Sequence, residues 1–435
     1  MFSSEIFKKK DTISILLNII FFVFFYRATF AKSTIEGLSF FIALLALSFI
    51  TFIFCKKNGY KPHIPKYSFF VFTTPTIIIF TQYFINKIPE KESISELTNH
   101  QIFYMYNINY IYSIVFILLP FILFNIKYKY STFFNILGFS TLSYIIFNMY
   151  LMLYLNLERM ELIDKINSII NYDNISIIIS TLTFIYSFHL YKINKKYYGT
   201  FLFFISMFAI FINISHGTRG TWIAIPFIFF YTLWTYRKEC KFYLSLFFGI
   251  SLIAITYTYI KKGEVIDRIS QAYNDLILIF NNSSQATSIG SRLEMWHLAI
   301  NNFKDSPITG IGSFNVAKEL CDLSHQGILA GECLTHMHNI YFQELASHGL
   351  IGFLALLFSF IFPAILFFKK IMYNNSEIQH FLSLAGLYTI FTVMICGLTD
   401  YYFITEISTS LYFILVLSLL TFISIENKCV KINSR

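Results

Sequence analysis

Lys261-Lys262-Gly263-Glu264-Val265-Ile266-Asp267-Arg268 opens a stretch that runs on to Gly349, the one long polar segment in a chain that otherwise alternates apolar runs with short connections. On either side lie twelve apolar runs near the ~20-residue length that crosses a bilayer. They fall at 12–30, 35–55, 67–86, 108–126, 133–156, 174–191, 199–214, 220–236, 242–260, 348–368, 380–398 and 403–424. The pattern predicts an all-α polytopic membrane protein of about twelve transmembrane helices, with a large helical loop between spans nine and ten. The expected division is 1–260 for spans one to nine, 261–347 for the loop and its catalytic residues, and 348–435 for spans ten to twelve and a tail. A polar segment of that length inside a compact protein is usually functional or disordered.

Composition agrees. Of 435 residues, 56% are hydrophobic, 20% aromatic and only 13% charged, and the mean hydropathy is +0.60. That is too little charge to cover the surface of a soluble domain. The apolar runs are continuous rather than alternating, which argues against a transmembrane β-barrel. The +9 net charge does not point to nucleic acid, because the basic residues sit between apolar runs, where they orient a membrane protein. With a cytoplasmic N-terminus, the inner segments hold 20 of the 33 Lys and Arg, and each holds at least two. An even span count then puts both termini inside and the long loop outside. Lys8-Lys9-Lys10 before Ile13–Phe30 imitates a signal peptide, but the run is long and no small-residue cleavage pattern follows, so a retained first helix is expected. Pro89–Gln101 reads as a second, smaller polar outer loop, and Leu157–Asp173 as a connection with some interfacial helix. Cys321 and Cys333 share the long loop; in an oxidising compartment they could pair, and otherwise they are two free thiols.

Three clusters carry chemistry, all on the outer side. In Ser215-His216-Gly217-Thr218-Arg219, Arg219 stands where a helix resumes, either as part of an anion site or as an arginine reaching for headgroups. In Ser288-Ile289-Gly290-Ser291-Arg292-Leu293-Glu294-Met295-Trp296, Ser291 is placed to cap a helix. Its expected apolar face is Leu293, Trp296, Ala299, Ile300 and Phe303. Arg292 would then occupy the first turn, where the helix dipole disfavours a cation without a nearby anion or a partner such as Glu294. In His336-Met337-His338-Asn339, a histidine at the start of an outer helix suits a general base. Metal binding by alternate histidines is the other reading, but HExxH, zinc-spaced cysteine pairs and Asp-x-Asp are all missing from the sequence. Gly310-Ile311-Gly312 reads as a turn. Two arginines able to fork onto phosphate oxygens and one base suggest a lipid-linked diphosphate substrate.

At these clusters the chain resembles the O-antigen ligase family of bacterial envelopes. The likeness lies in Thr218-Arg219 opening a helix, Gly290-Ser291-Arg292-Leu293, His336-Met337-His338-Asn339, His348-Gly349-Leu350-Ile351-Gly352, and Gly397-Leu398-Thr399-Asp400. The stretch Gly312–Thr335 departs from the family pattern. The resemblance implies a glycosyltransferase of the inner membrane, its site facing the periplasm. It would transfer O-antigen from an undecaprenyl-diphosphate-linked glycan donor to a lipid A–core acceptor, with no metal or other cofactor, inverting the anomeric carbon. It implies His338, Arg219 and Arg292 as catalytic groups, with His336, Asn339 and Trp296 toward substrate. Membrane lipids are expected partners, nucleic acid is not, and contact with other O-antigen assembly proteins is left open. The rivals are an O-antigen polymerase, a protein O-oligosaccharyltransferase using the same donor, and a transporter. Transporters gather ionisable groups near the membrane midplane, whereas here they gather at one face.

Overall fold

The computed structural model describes residues 2–29, 36–70, 77, 93–94, 97–98, 114–155, 169–238, 241–261, 264–280, 288–330, 333–373 and 376–433. Fourteen α-helices run through them. They are α1 (Phe2–Ala28), α2 (Glu36–Lys57), α3 (Leu118–Ile126), α4 (Tyr130–Met149), α5 (Ile169–Lys192), α6 (Lys196–Ser215) and α7 (Arg219–Tyr236), followed by α8 (Lys241–Lys261), α9 (Glu264–Phe280), α10 (Ser288–Asp305), α11 (Ser313–His325), α12 (Ile340–Tyr373), α13 (Glu377–Cys396) and α14 (Glu406–Asn433). Among the described residues the one strand pairing is a two-residue antiparallel pair within the small polar loop, β1 (Ser93–Ile94) with β2 (Leu97–Thr98), in register Ser93 with Thr98.

Among the described residues, seven helices are long and apolar enough to cross a membrane: Lys10–Ala28, Tyr130–Met152, Ile169–Lys192, Lys196–Ser215, Ile340–Tyr373, Glu377–Cys396 and Glu406–Asn427. They coincide with expected spans one, five, six, seven, ten, eleven and twelve. Expected spans two, eight and nine fall on α2, α7 and α8, span four is described from residue 114 and holds the short helix α3, and span three lies largely outside the described residues. The connection expected over Leu157–Asp173 also lies mostly outside them, but its end is already helix, since α5 starts at Ile169.

α5 and α14 are buried along almost their whole length and form the centre of the bundle, while α1 and α12 leave apolar side chains exposed, as lipid-facing helices do. Without water, polar groups in such a core must find partners inside it. Thr181 and Thr183 donate back to Ile177 and Ile179 carbonyls, Thr141 and Thr183 share a 2.9 Å bond between α4 and α5, and Tyr412 donates to the Ser359 carbonyl at 2.7 Å. Small residues let backbones close up: a Cβ at Gly199 would sit 2.9 Å from the Ser187 carbonyl oxygen.

The polar segment is tied to the bundle at a backbone break. α12 is interrupted at Gly349 (φ 61°, ψ −154°). There Ile311 and Gly312 donate to the Ala346 and Ser347 carbonyls, and Leu350 and Ile351 donate to Pro307 and Ile308. So Gly310-Ile311-Gly312 is more than a turn. A Cβ on Gly349 would lie 2.5 Å from the Ile308 carbonyl carbon, and one on Gly310 (φ 69°) would lie 2.4 Å from that of Ser347. Strain at such φ/ψ costs about 1–3 kcal/mol per residue, and the overlap adds to it. Gly349→Ala is therefore expected to lower the thermal midpoint in detergent by several degrees; an unchanged midpoint would show that this junction yields freely.

Candidate functional site

His338 sits just before α12 with φ +46°, a left-handed conformation rare outside glycine. The helix is held in place from both sides. Asn339 Oδ1 accepts the amides of Tyr341 (2.9 Å) and Phe342 (3.1 Å), its Nδ2 donates to the Leu398 carbonyl, and the Ile340 amide donates to Gly397 at 2.8 Å. A sharp turn locked by an asparagine N-cap thus aims the His338 ring at the end of α13. Its Nδ1 lies 3.3 Å from Asp400 Oδ1 and donates to it, because a carboxylate can only accept. That leaves Nε2 with its lone pair. His336 approaches the same oxygen at 3.6 Å, and the two imidazole centroids are 4.2 Å apart.

Asp400 is almost fully buried. Burial pushes its carboxyl up, but hydrogen bonds from His336 and His338 and their charges outweigh this and hold it well below the usual carboxylate range. His338 is lowered below its ordinary value, first by burial, then by His336, with Arg292 adding to this and Asp400 opposing it. One ligand atom each from His336, His338 and Asp400 lie within 4.8 Å of one another, so among the described residues this trio could hold a metal ion.

Arg219 is the first residue of α7, and Thr218 is its cap. The Thr218 hydroxyl donates to Asp173 Oδ2, and His216 Nδ1 donates to Asp173 Oδ1 at 2.7 Å, all three side chains being buried. Asn213 adds a bond to the Asp173 carbonyl. This buried carboxylate fixes the turn that presents Arg219. Gly220 brings the helix against the end of α13, since a Cβ there would overlap Thr399 Oγ1, next to Asp400. Arg219 itself reaches Asp275 (3.6 Å) and Gln271 (3.4 Å) on α9.

Arg292 donates to Ser288 Oγ at 3.1 Å, and its Nε is buried with no hydrogen-bond partner among the described residues. Burial lowers its pKa and so does Arg219, with Asp400 and Asp275 opposing them. The two arginines, the histidine pair and Asp400 therefore share one electrostatic neighbourhood.

Three expectations change here. α10 starts at Ser288, not at Ser291, so Arg292 is already past the first turn; burial beside a second arginine, not the helix dipole, is what strains its charge. Ser291 is buried and accepts the Ala330 amide at 2.8 Å. The buried face of α10 is accordingly Ser291, Met295, Ala299 and Asn302, while Leu293 and Ile300 are exposed. Asn339 and Trp296, expected toward substrate, are engaged in holding the histidine turn. Asn339 is a buried cap, and Trp296 stacks on Phe342 at 5.3 Å and donates to the Met337 carbonyl at 3.3 Å.

The sequence reading gave no role to Asp173 or to Glu344. Glu344 accepts from His348 Nδ1 (2.8 Å) and from Tyr401 (3.1 Å), bracing the residue next to Asp400 against α12. For Glu344 the signal was its i,i+4 spacing to His348 on one helix face; Asp173 meets His216 from 43 residues away and carried no local signal.

Cys321 and Cys333 form a disulfide. It closes the hairpin from α11 to within three residues of His336. The chain-entropy model gives about 3 kcal/mol for a loop of this size. Both thiols are expected to resist alkylation in the native and denatured protein until reductant is added; labelling without reductant would remove the bond from the account.

The fold and site together define a multi-pass membrane protein with a charged site where a polar insertion meets the ends of its helices. Comparison with known proteins narrows this. Residues 201–357 match the family model described as O-antigen ligase. A Haemophilus influenzae protein without an assigned function is 28% identical over 212 residues, covering 47% of this chain and 52% of the relative. An Escherichia coli K12 protein described as O-antigen ligase is 27% identical over 177 residues, covering 39% and 42%. The matches thus span about half the length of these relatives. The matched segment contains Arg219, Arg292, His336 and His338; Asp400 lies beyond it.

Proposed function

We propose that the protein transfers O-antigen polysaccharide from undecaprenyl diphosphate to lipid A–core oligosaccharide, in an inner membrane with both termini cytoplasmic and the site open to the periplasm. The observation that supports this best is the pairing of a carboxylate-anchored His338 with two arginines that each keep one buried nitrogen without a hydrogen-bond partner among the described residues. His338 Nε2 removes the proton from the acceptor hydroxyl. That oxygen attacks the anomeric carbon from the face opposite the diphosphate, the glycosidic C–O bond breaks, and the diphosphate leaves with the electron pair. Arg219 and Arg292 hold the departing charge, strongest where charge develops in the transition state. Asp400 keeps the His338 tautomer and stabilises the imidazolium that forms. One displacement inverts the anomeric centre.

The test is transfer from a purified lipid-linked donor to lipid A–core. Formation of capped core supports the reading. Extension of a lipid-linked acceptor instead would make the protein a polymerase, and transfer to a protein an oligosaccharyltransferase. Chelation with EDTA is expected to leave the rate unchanged, since Asp400 serves His338; loss of activity restored by one divalent ion would turn the trio into a metal site.

The pH dependence has a definite sign. The base works neutral, so kcat/KM falls as pH drops through the His338 pKa. With that pKa lowered, the acid limb should lie below the ordinary histidine value of about 6.5. His336 is among the groups lowering it, so His336→Ala is expected to move the limb to higher pH. A limb that stays put or moves down would detach His336 from the base.

A further inference from the structure

α9 is built upside down for a helix on a protein surface. Its polar side chains Gln271 and Asp275 lie toward Arg219, at 3.4 and 3.6 Å. Ile269, Tyr273 and Ile277, one helical turn apart in succession, face away and are 57%, 65% and 39% exposed. In water this arrangement leaves a continuous apolar stripe uncovered along a whole helix face, the reverse of what burial favours.

The height of α9 resolves the inversion. Arg219 follows the end of the spanning helix α6 by four residues and begins α7. A helix pinned to Arg219 therefore lies level with the ends of those helices, where hydrocarbon gives way to headgroups. α9 also follows directly on the apolar helix α8, which ends in Lys261, and it touches α6, α8 and α10.

We infer that α9 is an interfacial helix whose partner is the membrane itself, with Ile269, Tyr273 and Ile277 set into the lipid at the mouth of the arginine site. The other face of the same helix supplies the polar wall of that site. Tyrosine suits the boundary, with an apolar ring and a polar tip. An amphipathic helix of this kind binds in the plane of the bilayer by its apolar face. The inference rests on the helix and its place, and it stands whichever substrate the site takes.

An environment-sensitive fluorescent amino acid placed singly at 269, 273 or 277, or at the exposed polar positions Ser270 and Asn274 beside the stripe, in the full-length protein in phospholipid nanodiscs tests it. Quenching by lipids brominated high on their acyl chains should be several-fold stronger at 269, 273 and 277 than at 270 and 274, and quenching by aqueous iodide should show the opposite order. Equal iodide access at both sets of positions would mean that the helix stands in water. Protection of 269, 273 and 277 from both quenchers would mean that protein covers the stripe. Either result overturns the assignment.

Discussion

Replacing His338 should abolish most of the transfer activity. Removing a general base lowers a rate by roughly 10²- to 10⁴-fold, and the loss is expected in kcat at unchanged protein level and membrane insertion. The choice of replacement matters because His338 has a positive φ of 46°. Alanine would pay about 1–2 kcal/mol for that conformation, so a fall in activity could be mistaken for a misplaced turn. Asparagine tolerates the left-handed region better and cannot act as a base. His338→Asn is therefore the cleaner variant: the turn persists, because Asn339 caps α12 and Ile340 remains bonded to Gly397, and only the chemistry goes. Near-normal transfer by His338→Asn would end the assignment. Asp400→Asn is a milder companion. It replaces an acceptor-only carboxylate by an amide that can also donate, so the tautomer is no longer fixed, and it removes one of the influences raising the His338 pKa, so kcat should fall less than without the imidazole.

Much of this was visible in the sequence, for identifiable reasons. A membrane span declares itself by length and hydropathy alone, and α5, α6, α12, α13 and α14 fall where the apolar runs are. Arg219 stood out because it opens a span after a glycine turn, and Arg292 and His338 because they fall near expected helix starts in the one long polar segment. What stayed hidden depended on the third dimension. Asp400 stood in the Gly397-Leu398-Thr399-Asp400 likeness, but its pairing with His338, 62 residues earlier, depends on the fold. Asp173 read as part of a connection because helix propensity at Ile169–Asp173 is ordinary; the bundle makes it helical by burying it. Asn339 was legible in principle. An asparagine one residue before a helix is a cap far more readily than a ligand, and the neighbouring histidines drew the eye instead. Ser291 read as the helix cap, but the chain is already helical at Ser288, and Ser291 is buried, its hydroxyl spent on the Ala330 amide.

Arg292→Lys is the second large effect to expect. Lysine keeps the positive charge but loses the planar fork and the Nε donor, which in Arg292 is buried without a hydrogen-bond partner among the described residues. If that donor meets a diphosphate oxygen as charge develops on it, its loss should cost about 10²- to 10³-fold in kcat, as loss of one preorganised donor does elsewhere. Stability should move the other way. Burial and the neighbouring Arg219 both disfavour the charged guanidinium, so the apo protein carries an electrostatic cost that a bound anion would offset. Arg292→Ala removes that cost along with the charge, and its thermal midpoint without donor is expected to equal or exceed that of the parent even as transfer is lost. The added stabilisation that a lipid-linked diphosphate gives the parent should also shrink in both variants. Retained transfer in Arg292→Lys would reduce the residue to a point charge. A lower midpoint in Arg292→Ala, with loss of activity, would make it a structural residue whose partner is the protein, not the substrate.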